Sequence, residues 1–467
     1  MSGTIAKARS MAKPGRHADL PASASTEAHL RLGLSHLNAG RAAAALAPLR
    51  QAVSSAPGDL QARHALASAL LRSGDPAAAL SGFESLLAEA PGHAGAAFGR
   101  GLALHALGER DAALGAFRLI TESEPLAWKA WVSIADITPH EAERRRALDA
   151  AADVLTQTAA VPGASPALLA AAADALIAAR RPAKAAALLQ PRGGPVSGAP
   201  IPSRQLARAF YHQGRFCEAF GEACRLLAGA APIPAAHPLP AFSPGAATEA
   251  LTDILDILSA SGVTAFLAAG TLLGFQRGSG PLAHDRDIDI GVIRDPGGGP
   301  DIAGILRAHP RILLPRIARP GDRYFGLRHK GVAVDIFVHD RAGGSLTCGF
   351  SDVPGDIQWR LSAFEPARAY YGGRQWAIPG NPEHYLAETY GPDWQVPDRG
   401  FSSAVSSPAL FRTDVHARAY YAVMRARTAQ LCGDRKKAQA LLRQSPVPVP
   451  GNSGVPRDRR PEVLPPP

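Results

Sequence analysis

The chain has little sulfur and few aromatic rings. Its 467 residues include 4 cysteines and 3 methionines, and Phe, Trp and Tyr together make up 6%. The cysteines are scattered with no CxxC spacing, which argues against a metal knuckle or a disulfide framework. Cys217 and Cys224, seven apart on an expected helix, read as small buried apolar side chains. This usage fits a reducing, cytoplasmic setting. No apolar run reaches the ~20 residues of a membrane span. The first residues carry Lys7, Arg9, Lys13 and Arg16 without an apolar stretch behind them, so no secretory signal is expected. Lys and Arg exceed Asp and Glu by 50 to 40, giving a net charge of +10. The basic residues are dispersed and not interleaved with aromatics, unlike the stacking surfaces of single-strand nucleic-acid binders, so nucleic acid is not expected as a partner. Hydrophobic residues reach 46%, and the mean hydropathy of −0.03 is that of an ordinary soluble chain. The length predicts two or three domains with room for a large core.

A period of 34 residues organises the N-terminal part. Gly40, Gly74 and Gly108 show it, as do Pro57, Pro91 and Pro125, and Leu46, Leu80 and Leu114. Three independent markers at one period define a repeat, and 34 is the tetratricopeptide length. Each unit is read as two helices. The glycine ends the first in a left-handed turn and the proline stops the second. Ala44, Ala78 and Ala112 are expected at close helix contacts. The units run Thr26–Asp59, Leu60–His93 and Ala94–Ala127, with weaker copies at Trp128–Leu155, Ala167–Gln190 and Ser203–Ala228. Such units bury their apolar stripes only by stacking, so an all-α solenoid with a concave groove is expected over residues 26–228.

Composition sets the other boundaries. Residues 1–25 read as a disordered basic arm, and 192–202 as a loop inside the solenoid. The Pro-rich stretch 229–245 reads as a stiff linker. A second domain is expected at 246–412, opening with a helical face of Leu251, Ile254, Leu255 and Leu258 and a strand at Thr264–Ala268. Asp414–Arg443 reads as a helical pair like another repeat, within a segment 413–444. Residues 445–467 read as an unstructured Pro-rich tail.

The chemistry concentrates in AAGTLLGFQRGSGPLAHDRDIDIGV, Ala268–Val292. Ile288, Ile290 and Val292 alternate with Asp287 and Asp289, so a strand projects both acids from one face. Paired carboxylates repel each other unless a cation lies between them. Hard oxygens at that spacing suit Mg²⁺ or Mn²⁺, which take a few carboxylates plus substrate phosphates. This is the layout of metal-dependent phosphoryl or nucleotidyl transfer. A second alternating run, GVAVDIFVHD (Gly331–Asp340), puts Asp335 opposite Val332, Val334, Ile336 and Val338. If the two strands are neighbours, Asp335 is a third acid over the same ion and a candidate proton acceptor. Amides at Gly270-Thr271 could cradle phosphate at a turn into a helix. Gly278-Ser279-Gly280 would let backbone approach a ligand closely. Arg277 pairs either with phosphate or with Asp285. His284 is either a turn residue or a substrate contact, and Arg286 either points outward or meets phosphate. Arg328, His329 and Lys330 form either an exposed edge or a source of positive potential. Tyr390 and Trp394 are read as core anchors before stacking platforms, and the loops Pro296–Pro300 and Gly343–Gly355 as places where donors are told apart.

These residues resemble the LicD and fukutin-related phosphotransferases. That family's run is close to Gly-Thr-Leu-Leu-Gly-x-x-Arg-x-x-Gly, a short apolar turn, then Trp-Asp-Asp-Asp-Ile-Asp. Gly270, Thr271, Leu272, Leu273, Gly274, Arg277, Gly280, Asp285, Asp287, Ile288 and Asp289 match it in register. Asp335 matches the later acid, and Pro379, Leu386, Tyr390, Gly391, Trp394 and Pro397 match the closing segment. Ala283, His284 and Arg286 replace the family's Pro, Trp and Asp. The resemblance spans roughly residues 246–400 and implies an α+β nucleotidyltransferase fold with a mixed sheet. It further implies transfer of a phosphocholine- or polyol-phosphate-like group from a nucleoside diphosphate conjugate to a glycan or lipid-glycan acceptor. Two other readings share the same residues: a nucleotidyltransferase that moves a nucleoside monophosphate, and a repeat scaffold with an inactive or nucleotide-sensing domain. The repeats suggest a protein partner in their groove.

Overall fold

A computed structural model describes residues 22–190, 202–229, 242–278, 280–282, 285–398 and 400–451. It forms two compact units that divide between Ile120 and Thr121. The sequence expectations at residues 1–21, 191–201, 230–241 and 452–467, and those for Ser279, Ala283 and His284, lie outside the described residues.

In the first unit, helices α1 (Ala22–Asn38), α2 (Ala42–Ser55), α3 (Leu60–Arg72), α4 (Pro76–Glu89), α5 (Ala94–Ala106) and the start of α6 (Arg110–Ser123) follow the 34-residue period. Gly40, Gly74 and Gly108 adopt φ of +74°, +95° and +88°, the left-handed turn expected of each. Asp59 and Asp75 cap the next helices by accepting backbone N–H bonds. Stacking is tight enough that the Phe83 ring fills the place of a side chain on Gly99. The close-contact alanines are Ala45, Ala79 and Ala113, all fully buried. The expected Ala44 and Ala112 are exposed and Ala78 is half-buried. One residue turns a helix by ~100°, so a period fixes the spacing without fixing the face.

The second unit opens with three more helix pairs, matching the weaker repeats: α7 (Trp128–Ile137) with α8 (Glu141–Ala159), α9 (Pro166–Ala178) with α10 (Pro182–Leu189), and α11 (Ser203–Tyr211) with α12 (Phe216–Ala228). On α12, Phe216, Ala219, Phe220 and Ala223 take the inner face, which leaves Cys217 exposed and Cys224 half-buried, against the buried reading. Helix α13 (Pro244–Ala260) starts inside the expected linker, because Ser243 caps it and Pro244 suits its first turn. The arm and the tail also hold more structure than expected: α1 begins at Ala22, and Val449 is buried.

The remaining elements are β1 (Ala265–Leu267), α14 (Ala269–Gly278), β2 (Asp287–Arg294), α15 (Ile302–Ala308), β3 (Tyr324–His329), β4 (Val332–Ala342), β5 (Ser345–Gly349), β6 (Gln358–Ser362), β7 (Pro366–Tyr371), β8 (Arg374–Pro379), α16 (Pro382–Tyr390), α17 (Ser403–Ser406), α18 (Val415–Leu431) and α19 (Arg435–Arg443). The sheet runs β1-β2-β4-β5-β6, with β3 also on β4, and β7 and β8 form a separate ribbon. Among the described residues only β2 and β4 pair in parallel, so the sheet is mixed. Ile288, Ile290, Val334 and Ile336 are fully buried on one face, which leaves the acids to the other.

Two joints tie the helices of this unit to the sheet segment. Glu141 on α8 meets Arg307 of α15 at 2.8 Å, Arg144 at 3.3 Å and Arg319 at 3.6 Å. Arg144, 2% exposed, also donates to the Arg316 carbonyl. At the second joint α18 packs on α12 as a further repeat would. Tyr211 meets Tyr421 edge-on at 5.5 Å between ring centres and donates to Asp356. The sheet segment is therefore an insertion between two stacked helices.

Candidate active site

Strand register brings the acids together. Asp289 lies directly beside Asp335 across the parallel β2–β4 pair, and Asp287 beside Ala333. Asp285, Asp287, Asp289 and Asp335 all border one cavity of about 1850 Å³. Its rim takes in Arg180, Arg204 and Arg208 from α9, α11 and their connections, and Arg425 and Lys437 from α18 and α19.

The turn into α14 holds Asp289 from two sides. The Gly270 N–H donates to Asp289 Oδ2 at 2.8 Å, and the Asp289 N–H donates to Thr271 Oγ1 at 2.7 Å. Thr271 is 1% exposed. Of the expected phosphate cradle at Gly270-Thr271, the Gly270 amide is thus engaged in fixing an acid. The backbone bends sharply here, with Ala269 at φ +37°, and the Ala269 N–H donates to Tyr385 Oη at 3.2 Å. A Cβ on Gly270 would lie 2.9 Å from Asp289 Oδ2 and 3.2 Å from Asp285 Oδ2. Glycine keeps open the point between these two carboxylates.

Asp335 is held by the neighbouring strand. Tyr324 Oη donates to Asp335 Oδ1 at 2.9 Å. Gly326, opposite Asp335 in register, has no side chain to block it: a Cβ there would lie 2.5 Å from Tyr324 Oη. Tyr324 was not singled out in the sequence. Its signal was the alternation of YFGLRH, where Phe325 and Leu327 are buried and Tyr324 shares the face of Gly326.

Electrostatics mark this as a buried and crowded set of acids. Burial first, then the neighbouring Asp287, pushes Asp285 and Asp335 each up to about 6 from 3.8. Burial also raises Asp287, opposed by Arg425 and Arg286. Asp289 stands well above the ordinary range because it is buried beside Asp287, Asp335 and Asp285. Tyr390 is likewise raised by burial and by Asp289, and it stacks on Phe401 at 4.7 Å between ring centres.

Other expected residues lie elsewhere or do other work. Arg277 borders the cavity, but its guanidinium donates to the Trp394 carbonyl and not to Asp285. Gly278 ends α14. Gly280 presents its carbonyl 2.6 Å from where a Gly274 Cβ would sit, so this pair serves backbone packing. Arg328, His329 and Lys330 flank the β3–β4 turn away from the cavity lining. His329 and Lys330 meet Asp253 at 3.0 and 2.7 Å. Gly343–Gly355 is not a plain loop, since β5 occupies Ser345–Gly349. Cys348 on β5 and the end of the segment, from Phe350 to Pro354, reach the cavity.

Two family models match stretches of this chain. A tetratricopeptide repeat model matches residues 3–59 and 64–127. The model for the LicD/FKTN/FKRP nucleotidyltransferase domain matches residues 262–297, the stretch that holds Gly270, Asp287 and Asp289. The chain is similar to a solved tetratricopeptide repeat protein of Parabacteroides merdae at 15% identity, over 45% of this chain and 81% of that one, with a TM-score of 0.29. It is also similar to PilF of Pseudomonas aeruginosa, at 18% identity over 45% and 95% with a TM-score of 0.30. A thermophilic repeat protein of Thermus thermophilus matches at 22% identity over 44% and 91%, with a TM-score of 0.26. No curated protein matches the chain. The chain thus carries tetratricopeptide repeats followed by a part with a mixed sheet, and the short LicD match points to a transferase. Among the described residues, no helix is long and apolar enough to cross a membrane.

Proposed function

We propose that this protein transfers a phosphorylated group, phosphocholine- or polyol-phosphate-like, from a nucleoside diphosphate conjugate to a hydroxyl of a glycan or lipid-glycan acceptor, with Mg²⁺ or Mn²⁺ bound. The observation that carries this reading is the convergence of Asp287, Asp289 and Asp335, from two register-matched strands, on one cavity. The donor set fits a hard cation. Its ligands are carboxylate oxygens that raise one another's pKa, and Gly270 leaves open the point between Asp289 and Asp285. Among the described residues, no three His, Cys, Asp or Glu side chains already converge on a single point. Mg²⁺ needs only one or two carboxylates when water and substrate phosphates complete its shell. Asp287 and Asp289 would hold the ion, whose chemistry is to neutralise the diphosphate and the leaving oxygen.

The chain's own groups do the rest. The Gly270 N–H fixes Asp289. Asp335, aimed by Tyr324 and raised to about 6, is suited to accept the acceptor's hydroxyl proton near neutral pH. The hydroxyl oxygen then bonds to the phosphorus distal to the nucleoside. The bond to the bridging oxygen breaks, and a nucleoside monophosphate leaves.

The test is a thermal-shift panel of nucleotide conjugates with Mg²⁺ or Mn²⁺, on the wild type and on Asp289→Asn. Binding to the native state raises the midpoint by mass action. A metal-dependent rise with a cytidine diphosphate conjugate, lost in the variant, is expected. A rise only with nucleoside triphosphates would replace this reading with nucleotidyl transfer. No metal-dependent rise with any ligand would leave the scaffold reading.

A further inference from the structure

We propose that Arg286, Arg425 and Lys437 form a subsite for the donor's diphosphate, built jointly by the loop before β2 and the C-terminal helices α18 and α19. This inference rests on the transferase reading for the identity of its ligand. All three residues border the cavity that holds the acids. Arg180, Arg204, Arg208 and Arg323 border it too; of these Arg180, Arg208 and Arg323 are paired with acids, at 2.6 Å to Asp322, 2.5 Å to Asp174 and 2.9 Å to Asp340. Among the described residues, the side chains of Arg286, Arg425 and Lys437 have no ion pair and no hydrogen bond. Arg286 and Arg425 are exposed to the cavity and Lys437 is half-buried. Burial, together with the charges of Arg286 and Arg425, pulls Lys437 below its usual range, against the nearby charges of Asp434 and Asp285.

Three cations with no ion pair or hydrogen bond, bordering the same cavity as four crowded carboxylates, suit an anion that bridges them through a metal ion. A diphosphate is such an anion: its outer oxygens accept bonds from guanidinium and ammonium groups, and its others meet the cation. The basic side is also held in place. Arg418 of α18 donates to the Val405 carbonyl at 2.8 Å, and Tyr421 stacks on Phe350 at 5.1 Å between ring centres. Gln444, just after α19, donates to the Gly400 carbonyl at 2.9 Å. The cationic groups are thus carried on a fixed scaffold.

The test is calorimetric titration of the full chain with Mn²⁺ alone, and with inorganic pyrophosphate in Mn²⁺ and in EDTA. The double variant Arg425→Ala, Lys437→Ala is expected to weaken Mn²⁺-dependent pyrophosphate binding by at least about tenfold. Its Mn²⁺ affinity should be unchanged or tighter, because two cations near the acids are gone. A purely structural role would weaken both. Arg425→Lys with Lys437→Arg should retain most of the binding, and Arg328→Ala, outside the cavity, all of it. Wild-type pyrophosphate affinity in the double alanine variant would overturn the proposal. So would no pyrophosphate binding in the wild type, or joint loss of pyrophosphate and Mn²⁺ binding with a lowered unfolding midpoint. If the wild type binds no Mn²⁺ but binds pyrophosphate in EDTA, and the double variant abolishes that, the anion subsite stands and the transferase reading falls.

Discussion

Replacing Asp335 by Asn should make the metal-free protein more stable and the enzyme less active. Asp335 sits mid-strand beside Asp289, and burial and the Asp287 charge raise it from 3.8 to about 6. That is about two pKa units, and each unit is ~1.4 kcal/mol, so holding the carboxylate ionised costs the fold at most ~3 kcal/mol. The side chain is partly open to the cavity, and solvent screening there brings the expected gain of Asp335→Asn to about 1–2 kcal/mol. Asn keeps an oxygen for the Tyr324 hydroxyl, so the hydrogen bond survives. The sign follows from proton linkage. Between about pH 4 and pH 6 the native state binds more protons at this site than the unfolded chain, so stability falls as pH rises through that window. Below it the carboxyl is neutral in both states and Asn has no advantage. Urea denaturation in EDTA, followed through Trp359 and Trp376, should show the variant ahead at pH 7.5 and level with wild type near pH 4. A variant less stable at pH 7.5, or ahead by the same margin at both pH values, would refute the reasoning.

Two further outcomes follow from the geometry. Gly270→Ala puts a methyl carbon 2.9 Å from Asp289 Oδ2. The displaced acid should abolish the Mn²⁺-dependent rise in midpoint and lower activity by about 100-fold. Circular dichroism should stay unchanged, and a fully active Gly270→Ala enzyme would show that the point between the acids is not used. Glu141→Gln leaves Arg144, Arg307 and Arg319 close together without their shared anion. It should cost about 3 kcal/mol or more, read as a lower calorimetric midpoint for the second unit; a loss below ~1 kcal/mol would show that water or other groups carry that charge.

Much of this architecture was legible because it is local. The 34-residue period located the helix pairs, and alternation identified β2 and β4, because each signal is carried by neighbours in the chain. The pairing of Asp289 with Asp335 needed one assumption, that the two strands are adjacent, and the register bears it out. What could not be read was set by distant packing. Tyr324 acts on Asp335 from another strand. Arg425 and Lys437 reach the cavity only because α18 stacks on α12. By residue type Arg277 suited either phosphate or Asp285, and its neighbour turned out to be the Trp394 carbonyl, supplied by a segment after α16. The alanines missed by one position show the same limit on a smaller scale.

The insertion of the sheet segment between α12 and α18 also orders events as the chain is made. The strands that crowd the carboxylates leave the ribosome before the helices that bring Arg425 and Lys437 opposite them. Until α18 docks on α12, the acids lack the two cations that α18 and α19 carry. Helices made after the sheet segment therefore complete the cavity, and a nascent chain that stalls before them carries the acids with no assembled site.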